Sequence, residues 1–362
     1  MNDIDDAQAL ATPPGSGLAA AAGTAADGPV SVIMPVRNEE RHLAESVASV
    51  LSQDYPGHLE LVLAVGPSKD KTEEIAKRLA AADSRITVVA NPTGQIPTAL
   101  NAAVRASRHD IIVRVDGHAL LPASYIATAV RTLRTTGAVN VGGIMAAEGI
   151  TPFQRAVAWA MTSPAGVGAA KYHTGGGAGA AESVYLGAFR RGAIDGVGGY
   201  DEHYLRAEDW ELNHRIRQAG GLIWFTPDLR VSYRPRATIG RLASQYFHYG
   251  RWRHVVARMH AGTINLRYLA PPAAVLSMLV GTTAGLAGLG ALAAGSSSWW
   301  TWLLVAGFAA PLLYLLGILA VTATAARTLT GRALAALPVV LATMHVSWGI
   351  GFLTSPRHLI GD

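Results

Sequence analysis

The chain has 362 residues, half of them hydrophobic and only 15% charged, which sets it apart from a purely soluble protein. It contains no cysteine, so disulfides and thiolate metal sites are excluded, and any metal must be held by oxygen or imidazole. The net charge of +5 hides an asymmetry: after Asp228 the next acidic residue is Asp362, while Arg230, Arg234, Arg236, Arg241, Arg251, Arg253, Arg258 and Arg267 fall between them. One-sided basicity of this kind suits anionic lipid or a pyrophosphate group. It argues against nucleic acid as a partner, because the basic segment runs directly into apolar sequence rather than into a reading module.

Residues 1–28 are rich in Ala, Gly, Thr and Asp, with no basic start and no long apolar core. They read as a disordered tail rather than a signal peptide. Val30 to Met34 is a short apolar run ending at Pro35, the pattern of a buried strand. Leu43, Val47, Val50 and Leu51 then fall at helical spacing. Leu59 to Val65 is a second buried strand, closed by Gly66-Pro67. Asp70 followed by Glu73 predicts a capping box opening a helix through Leu79. Ile86 to Val89 reads as a third strand, Pro97 to Ala106 as a helix, and Ile111 to Val115 as a fourth strand ending at Asp116. Strands alternating with helices imply an α/β fold with a mostly parallel sheet covered on both faces. Ligands of such sheets bind beyond the strand C-termini, the edge that would carry Asn38, Gly66 and Asp116. Residues 164–187 are crowded with Gly and Ala and read as a flexible loop near that edge.

From Tyr268 to Ala326 there is no charged residue, far more than the ~20 needed to cross a bilayer. Gly295 to Ser298 divides the stretch, and Trp299, Trp300 and Trp302 sit where an interfacial belt belongs. Spans are expected at 269–294 and 300–324, with a third at 333–354, giving residues 268–362 as a membrane domain. Residues 236–267 would form an amphipathic interfacial segment after a catalytic domain spanning 29–235. Arg267 before the first span, and Arg327 and Arg332 after the second, place those ends and the catalytic domain in the cytoplasm. The Ser-rich turn and the C-terminus would then face outward. A buried helical hairpin is the alternative for the last span.

Four polar stations run in order along this frame: Pro35 to Glu40, Asp116-Gly117-His118, Glu208-Asp209-Trp210-Glu211, and Gln245 through Arg251-Trp252. Sugar transfer from a nucleotide diphosphate to a lipid-held acceptor has matching needs. The nucleotide must be gripped, the charge on the leaving diphosphate neutralised, and the acceptor hydroxyl deprotonated. Asp116 and His118, two apart in extended chain, point the same way and can offer carboxylate and imidazole to one divalent ion. Magnesium prefers oxygen, so the histidine favours manganese, or else touches phosphate itself. Asp209 suits a general base, with Glu208 orienting it or the acceptor, although carboxylates at a helix start also serve as simple caps. Gln245, Arg251 and Trp252 lie on an aromatic-rich amphipathic helix. Arg251 suits the acceptor pyrophosphate or the leaving diphosphate as well as lipid headgroups.

Taken together these segments resemble family 2 glycosyltransferases. The resemblance rests on Met34-Pro35-Val36-Arg37-Asn38-Glu39, on Ser68-Lys69-Asp70-Lys71-Thr72, on Asn91 through Asn101, and on Val113 through Ala119. It continues through Gly187 to Arg191, Val197 to Asp201, Glu208 to Asn213 and Gln245 to Trp252, covering about residues 29–272. It is nearest to the subgroup that assembles succinoglycan-type exopolysaccharide. The resemblance implies a GT-A fold, inversion at the anomeric carbon, a divalent metal (Mn2+ or Mg2+) and a membrane-bound acceptor. By position it makes Asp116 the metal ligand with His118 in the third place of its D-x-D element, and Asp209 the base. Pro35, Arg37, Asn38, Glu39, Ser68, Asp70 and Asn101 would line the nucleotide-sugar pocket. Val65 stands where many relatives carry an acidic residue that contacts the base. The reaction expected is hexose transfer from a nucleotide-diphosphate sugar, read as a UDP-sugar, to a polyprenyl-diphosphate-linked saccharide. Transfer directly to polyprenyl phosphate, or an inactive membrane scaffold, are the competing readings.

Overall fold

The computed structural model describes residues 28–168, 170–357 and 359. The tail expected at 1–28 therefore lies outside the described residues except for Gly28.

The first half of the sheet follows the apolar runs. Strands β1 (Val30–Val36), β2 (Leu59–Val65), β3 (Ile86–Ala90) and β4 (Ile111–Arg114) pair in parallel in the order β3-β2-β1-β4. Helices α1 (Leu43–Leu51), α2 (Thr72–Ala82) and α3 (Ile96–Ala106) connect them. Alternate residues of β1 face opposite ways. Val30, Val32, Met34 and Val36 enter one core with α1 and α4 (Tyr125–Thr136), while Ile33 joins α3 in the other. That two-sided burial is why these strands read as continuous apolar runs. The capping box does not form. Lys71 is the N-cap of α2, and Asp70 instead accepts the Thr72 and Glu40 amides at 3.1 and 3.2 Å.

The second half is mixed. β7 (Tyr185–Arg190) runs antiparallel between β4 and β5 (Asn140–Ala147), β8 (Ile223–Tyr233) lies parallel to β5, and the two-residue β6 (Gly179–Ala180) closes the edge, making eight strands. Four helices accompany these strands: α5 (Pro152–Met161), the short α6 (Pro164–Val167) and α7 (Lys171–Thr174), and α8 (Arg191–Asp195). The stretch expected as an open loop thus holds two helical turns and an edge strand. Helix α9 (Glu208–Gln218) follows; its buried Leu212 and Ile216 pack into the core beside Tyr200. Its Glu211 is 1% exposed and is satisfied by Arg215 at 2.6 and 2.7 Å, a structural carboxylate one turn from the two of interest.

Helix α10 (Ile239–Met259) leads to α11 (Leu266–Ala293), α12 (Trp299–Val305), α13 (Ala309–Ala325) and α14 (Gly331–Leu353). Helices α12 and α13 form one 27-residue rod through a single 3-10 turn. Three C-terminal helices are long and apolar enough to cross a membrane: α11, the α12–α13 rod and α14. In the first two only 17% and 6% of the most apolar stretch is covered by the rest of the protein, against 33% in the third.

Candidate active site

The site begins at Arg114, the last residue of β4, a charged side chain in an otherwise apolar strand and only 6% exposed. A buried guanidinium needs carboxylates around it. Three are supplied. Asp116 Oδ1 accepts from Nε and Nη2 at 3.2 Å, Glu208 Oε1 from Nη1 and Nη2 at 3.4 and 3.3 Å, and Asp209 Oδ1 from Nη1. Burial disfavours the charge on Arg114, but Asp209, Asp116 and Glu208 together hold its proton on firmly. The strand end and the start of α9, some 95 positions apart in sequence, are thereby fixed to one another.

One guanidinium cannot balance three carboxylates in a desolvated pocket. Burial, then the neighbouring Asp209, pushes Glu208 up to about 7 from an ordinary 4.5, despite Arg114. Asp209 is also raised, chiefly by burial and further by Asp116, against the pull of Arg114. Glu60 shows the contrast: burial acts on it too, yet hydrogen bonds from Ser31 and Arg108 hold it below its ordinary value. Asp209 keeps 33% of its side chain open, against 11% for Glu208, so it is the more accessible of the two. Because the folded pKa of Glu208 lies above its unfolded value, its contribution to stability is complete below about pH 4.5 and is lost as pH rises through about 7. Glu208→Gln is therefore expected to flatten the pH dependence of thermal stability across that window and to gain on wild type at pH 8. Parallel melting curves at pH 5 and pH 8 check this.

Around the cluster the loops are braced. His118 Nδ1 lies 2.8 Å from Glu39 Oε1, and that bond, helped by Asp116 and opposed by burial, raises the imidazole above its ordinary value. Asn38 sits in the left-handed region at φ 56°. Its amide donates to Ser68 Oγ at 3.1 Å, and its Oδ1 accepts the Lys69 amide at 2.8 Å. The Glu39 amide donates to Thr72 Oγ1 at 2.7 Å. Asn38, Glu39, Ser68 and Asp70 thus tie the loop after β1 to the loop after β2. Arg37 ties both to the loop after β3, donating to Pro67 and Gly94 carbonyls at 3.3 and 3.1 Å. Gly94, at φ 66°, lies where a Cβ would come 3.2 Å from that guanidinium. Pro35 shares this edge through its carbonyl, near Gly117. Asn101 is buried behind the site. It donates to Tyr200 O and Glu202 Oε1 at 2.8 and 2.9 Å and accepts the Tyr200 amide at 2.8 Å. It positions Tyr200, whose buried ring lies in the field of Asp209, Arg114 and Glu208.

The non-glycine residues with positive φ, among those described, are Asn38, Leu186 and Ala207. Each flanks this region: Asn38 precedes Glu39, Leu186 follows Tyr185, which feels the charge of Asp116, and Ala207 immediately precedes Glu208. A left-handed Leu or Ala costs on the order of 1 kcal/mol, and such strain concentrates at functional sites.

The fourth station divides. Gln245 is buried and donates to the Tyr233 and Tyr249 hydroxyls at 3.1 and 2.7 Å while accepting from Arg236 at 3.2 Å. Arg236 in turn lies close enough to His118 to oppose its protonation. Arg206 and Arg251 flank His248, and Arg206 and Arg236 flank Tyr249. None of these three arginines is paired with a carboxylate among the described residues, and Arg251 Nε is buried without a hydrogen-bond partner. The basic group is therefore open to an anion. Trp252 is not part of it; it is 4% exposed, packed with Tyr204, Val255 and Val256 against Trp210. Arg253 stacks over Trp210 at 4.4 Å and over Tyr268 at 3.8 Å, joining α9 to the first turn of α11. Arg114, Tyr200 and Arg206 were missed at the sequence level; of these only Arg114 carried a signal, a lone charge inside an apolar strand, while Arg236 belonged to the basic run already read as suiting a pyrophosphate group.

A divalent ion fits what is present. The Asp116 carboxylate uses one oxygen on Arg114, and His118 keeps Nε2 beyond its bond to Glu39. The surplus of buried carboxylate over guanidinium favours a cation. Among the described residues no group of three or more His, Asp or Glu side chains is arranged to hold an ion alone, so an ion at Asp116 and His118 would need further ligands.

A parallel sheet extended by mixed strands, with acidic side chains at the strand ends, defines a GT-A-type nucleotide-sugar transferase architecture. Comparison with known proteins agrees. Residues 31–198 match the model of the glycosyl transferase family 2. The succinoglycan biosynthesis protein ExoA of Rhizobium meliloti (strain 1021) is 35% identical over 242 residues, 66% of this chain and 73% of that protein. A putative glycosyltransferase EpsE of Bacillus subtilis (strain 168) is 45% identical over 90 residues, 24% of this chain and 32% of its own. Among solved structures, the mannosyltransferase PcManGT from Pyrobaculum calidifontis in complex with GDP-Man and Mn2+ shares the fold at TM-score 0.58, with 22% identity, covering 91% of this chain and 88% of its own. The chain belongs to family 2 of the glycosyltransferases, of the type represented by the succinoglycan biosynthesis protein, and is an enzyme.

Proposed function

We propose that this enzyme transfers a hexose, with inversion, from a nucleotide-diphosphate sugar to a polyprenyl-diphosphate-linked saccharide at the cytoplasmic membrane face. The observation that carries the reading is the convergence of Asp116, Glu208 and Asp209 on Arg114, with Arg206, Arg236 and Arg251, none of them paired with a carboxylate among the described residues, grouped around His248 and Tyr249. The braced loops after β1, β2 and β3, with Pro35, Arg37, Asn38, Glu39, Ser68 and Asp70, form the cradle for the nucleotide. Asp116 and His118 would hold the divalent ion. When bound there, that ion supplies Lewis-acid neutralisation of the departing diphosphate.

The acceptor hydroxyl attacks the anomeric carbon from the face opposite the diphosphate and yields its proton to Asp209. The new glycosidic C–O bond forms as the old one breaks, and its electron pair leaves on the diphosphate oxygen. Glu208, holding a proton near neutral pH, hydrogen-bonds rather than repels the acceptor. Arg206, Arg236 and Arg251 face the acceptor's diphosphate, a role suited to planar bidentate donors. Manganese is favoured over magnesium by the imidazole. Exopolysaccharide assembly is the process in which the ExoA relative is named.

The test is donor binding. Asp116→Ala is expected to abolish the manganese-dependent part of UDP binding measured by calorimetry. Unchanged binding in the presence of manganese removes Asp116 from the metal role.

A further inference from the structure

We propose that only the hairpin of α11 and α12–α13 crosses the bilayer, and that α14 lies in the leaflet against the catalytic domain, returning the C-terminus to that domain's side. By length and composition α14 matches the other two candidates. Its neighbours do not. Just before it, Trp159 Nε1 of α5 donates to Thr328 Oγ1 at 3.0 Å. Leu337, Leu341 and Met344 share a core with Val157 and Ala160 of α5 and Leu242 of α10. His345 sets Nε2 2.7 Å from the Ala165 carbonyl of the catalytic domain, and Nδ1 3.2 Å from the Tyr314 hydroxyl of the hairpin.

Farther along, α14 meets α10 backbone to backbone. A Cβ added at Gly250 would lie 2.0 Å from Trp348 O, and one at Gly351 2.0 Å from Phe247 O. Past its end, Arg258 donates to the Ser355 and Pro356 carbonyls at 3.2 and 2.7 Å, and Ser355 Oγ donates to Arg251 O at 2.9 Å. Contacts thus advance together, from the core that Leu242 shares with Leu337 to Arg258 beside Ser355, so the two helices run parallel and share one depth.

Helix α10 cannot sit across hydrocarbon. It carries Arg241, Arg251, Arg253 and Arg258, each costing on the order of 3 kcal/mol at a bilayer centre. A helix seamed to it along nearly its whole length cannot cross either. The hairpin is different. Gly281 and Gly307 bring α11 and α12–α13 into close contact, their outer faces are bare, and at about 1.5 Å per residue each rod exceeds the roughly 30 Å core.

The occupant of the bare face beside α14 is a lipid leaflet. Val339, Ile350 and Leu353 are 49%, 39% and 39% exposed, and Met259, Ile264 and Leu266 continue the apolar rim at 57%, 45% and 84%. Arg258 and Arg267 stand at its edge, the arrangement of an interfacial seat. Charge placement agrees. Arg267, Arg327, Arg332 and Arg357 mark every end assigned to the catalytic side, and the Gly295 to Ser298 turn carries no charge. On this proposal the third crossing and the outward C-terminus expected from the sequence do not occur.

The inference rests on the hairpin being membrane-spanning, and the experiment separates the two. The chain has no cysteine, so single substitutions report cleanly. Ser297→Cys, Thr330→Cys and Thr354→Cys all sit at exposed positions. Each is treated with a membrane-impermeant maleimide in sealed inside-out and right-side-out vesicles, with detergent controls for thiol reactivity. Thr354→Cys is expected to label on the same side as Thr330→Cys, and Ser297→Cys on the other. Labelling of Thr354→Cys on the side of Ser297→Cys makes α14 a third crossing and overturns the proposal. Labelling of Ser297→Cys on the side of Thr330→Cys shows instead that the hairpin does not cross, and the membrane reading itself falls.

Discussion

Asp209→Asn is expected to lower the turnover of sugar transfer by about 10²- to 10⁴-fold while leaving donor affinity within a few-fold of wild type. The geometry separates the two effects. The amide is nearly isosteric with the carboxylate, and its oxygen can still accept from Arg114, so α9 stays fixed to the end of β4. What is lost is an acceptor for the substrate proton. Glu208 does not substitute, because it is more deeply buried and its pKa of about 7 keeps much of it protonated at neutral pH. Asp209 stands in the first turn of α9, where the helix dipole favours the anion and partly offsets burial. Radiolabelled transfer by membranes carrying the variant, read beside calorimetric donor binding, checks the prediction. Turnover equal to wild type removes Asp209 from the base role. No transfer from either protein, with the donor still bound, supports the scaffold reading.

The sequence made the first half of the fold legible because its physics is local. β1, β2 and β4 are buried on both faces, so each is a mostly apolar run, interrupted only by Ser31, Glu60 and Arg114, that ends where the chain turns into the site. The strands β5, β7 and β8 were not read, and the glycines of β5 show why. A Cβ at Gly143 would lie 1.6 Å from Leu229 O, and one at Gly142 2.6 Å from Tyr185 O. Close backbone approach demands glycine there, and glycine in a sequence signals a loop. The glycines at 349 and 351 of α14 likewise look like ordinary membrane-helix composition, and they are also where that helix closely approaches Pro271 and Phe247.

At the site, Asp116, Glu208 and Asp209 were legible as acidic stations at element ends. Their union was not, because Arg114 meets residues 94 and 95 positions away. Asp70 and Asn101 were read as nucleotide contacts. Their polar atoms are engaged by the protein itself, Asp70 by the Glu40 and Thr72 amides and Asn101 by Tyr200 and Glu202.

Arg114→Met should be the most damaging single change to the folded state, and the damage should grow with pH. Methionine fills much of the same volume and is neutral, so the effect isolates charge rather than packing. Removing one member of a buried ionic cluster costs about 3–5 kcal/mol, because the partners remain as uncompensated buried charge. Here the partners are three carboxylates already crowded enough to raise Glu208 and Asp209 with the guanidinium in place. Without it the folded pKa values of Glu208 and Asp209 move further up. Groups raised in this way stabilise below their unfolded pKa and lose that contribution as pH climbs through the folded value. The variant should therefore approach wild-type stability near pH 5, where the orphaned carboxyls take up protons, and fall well below it at pH 8. Manganese at pH 8 should recover part of the difference, since a cation at Asp116 replaces some of the lost charge. Melting curves of detergent-solubilised protein at both pH values, with and without manganese, measure all three effects. Equal stability of variant and wild type at pH 8 refutes the coupling of the three carboxylates through Arg114. A loss of equal size at both pH values assigns Arg114 a packing role instead of an electrostatic one.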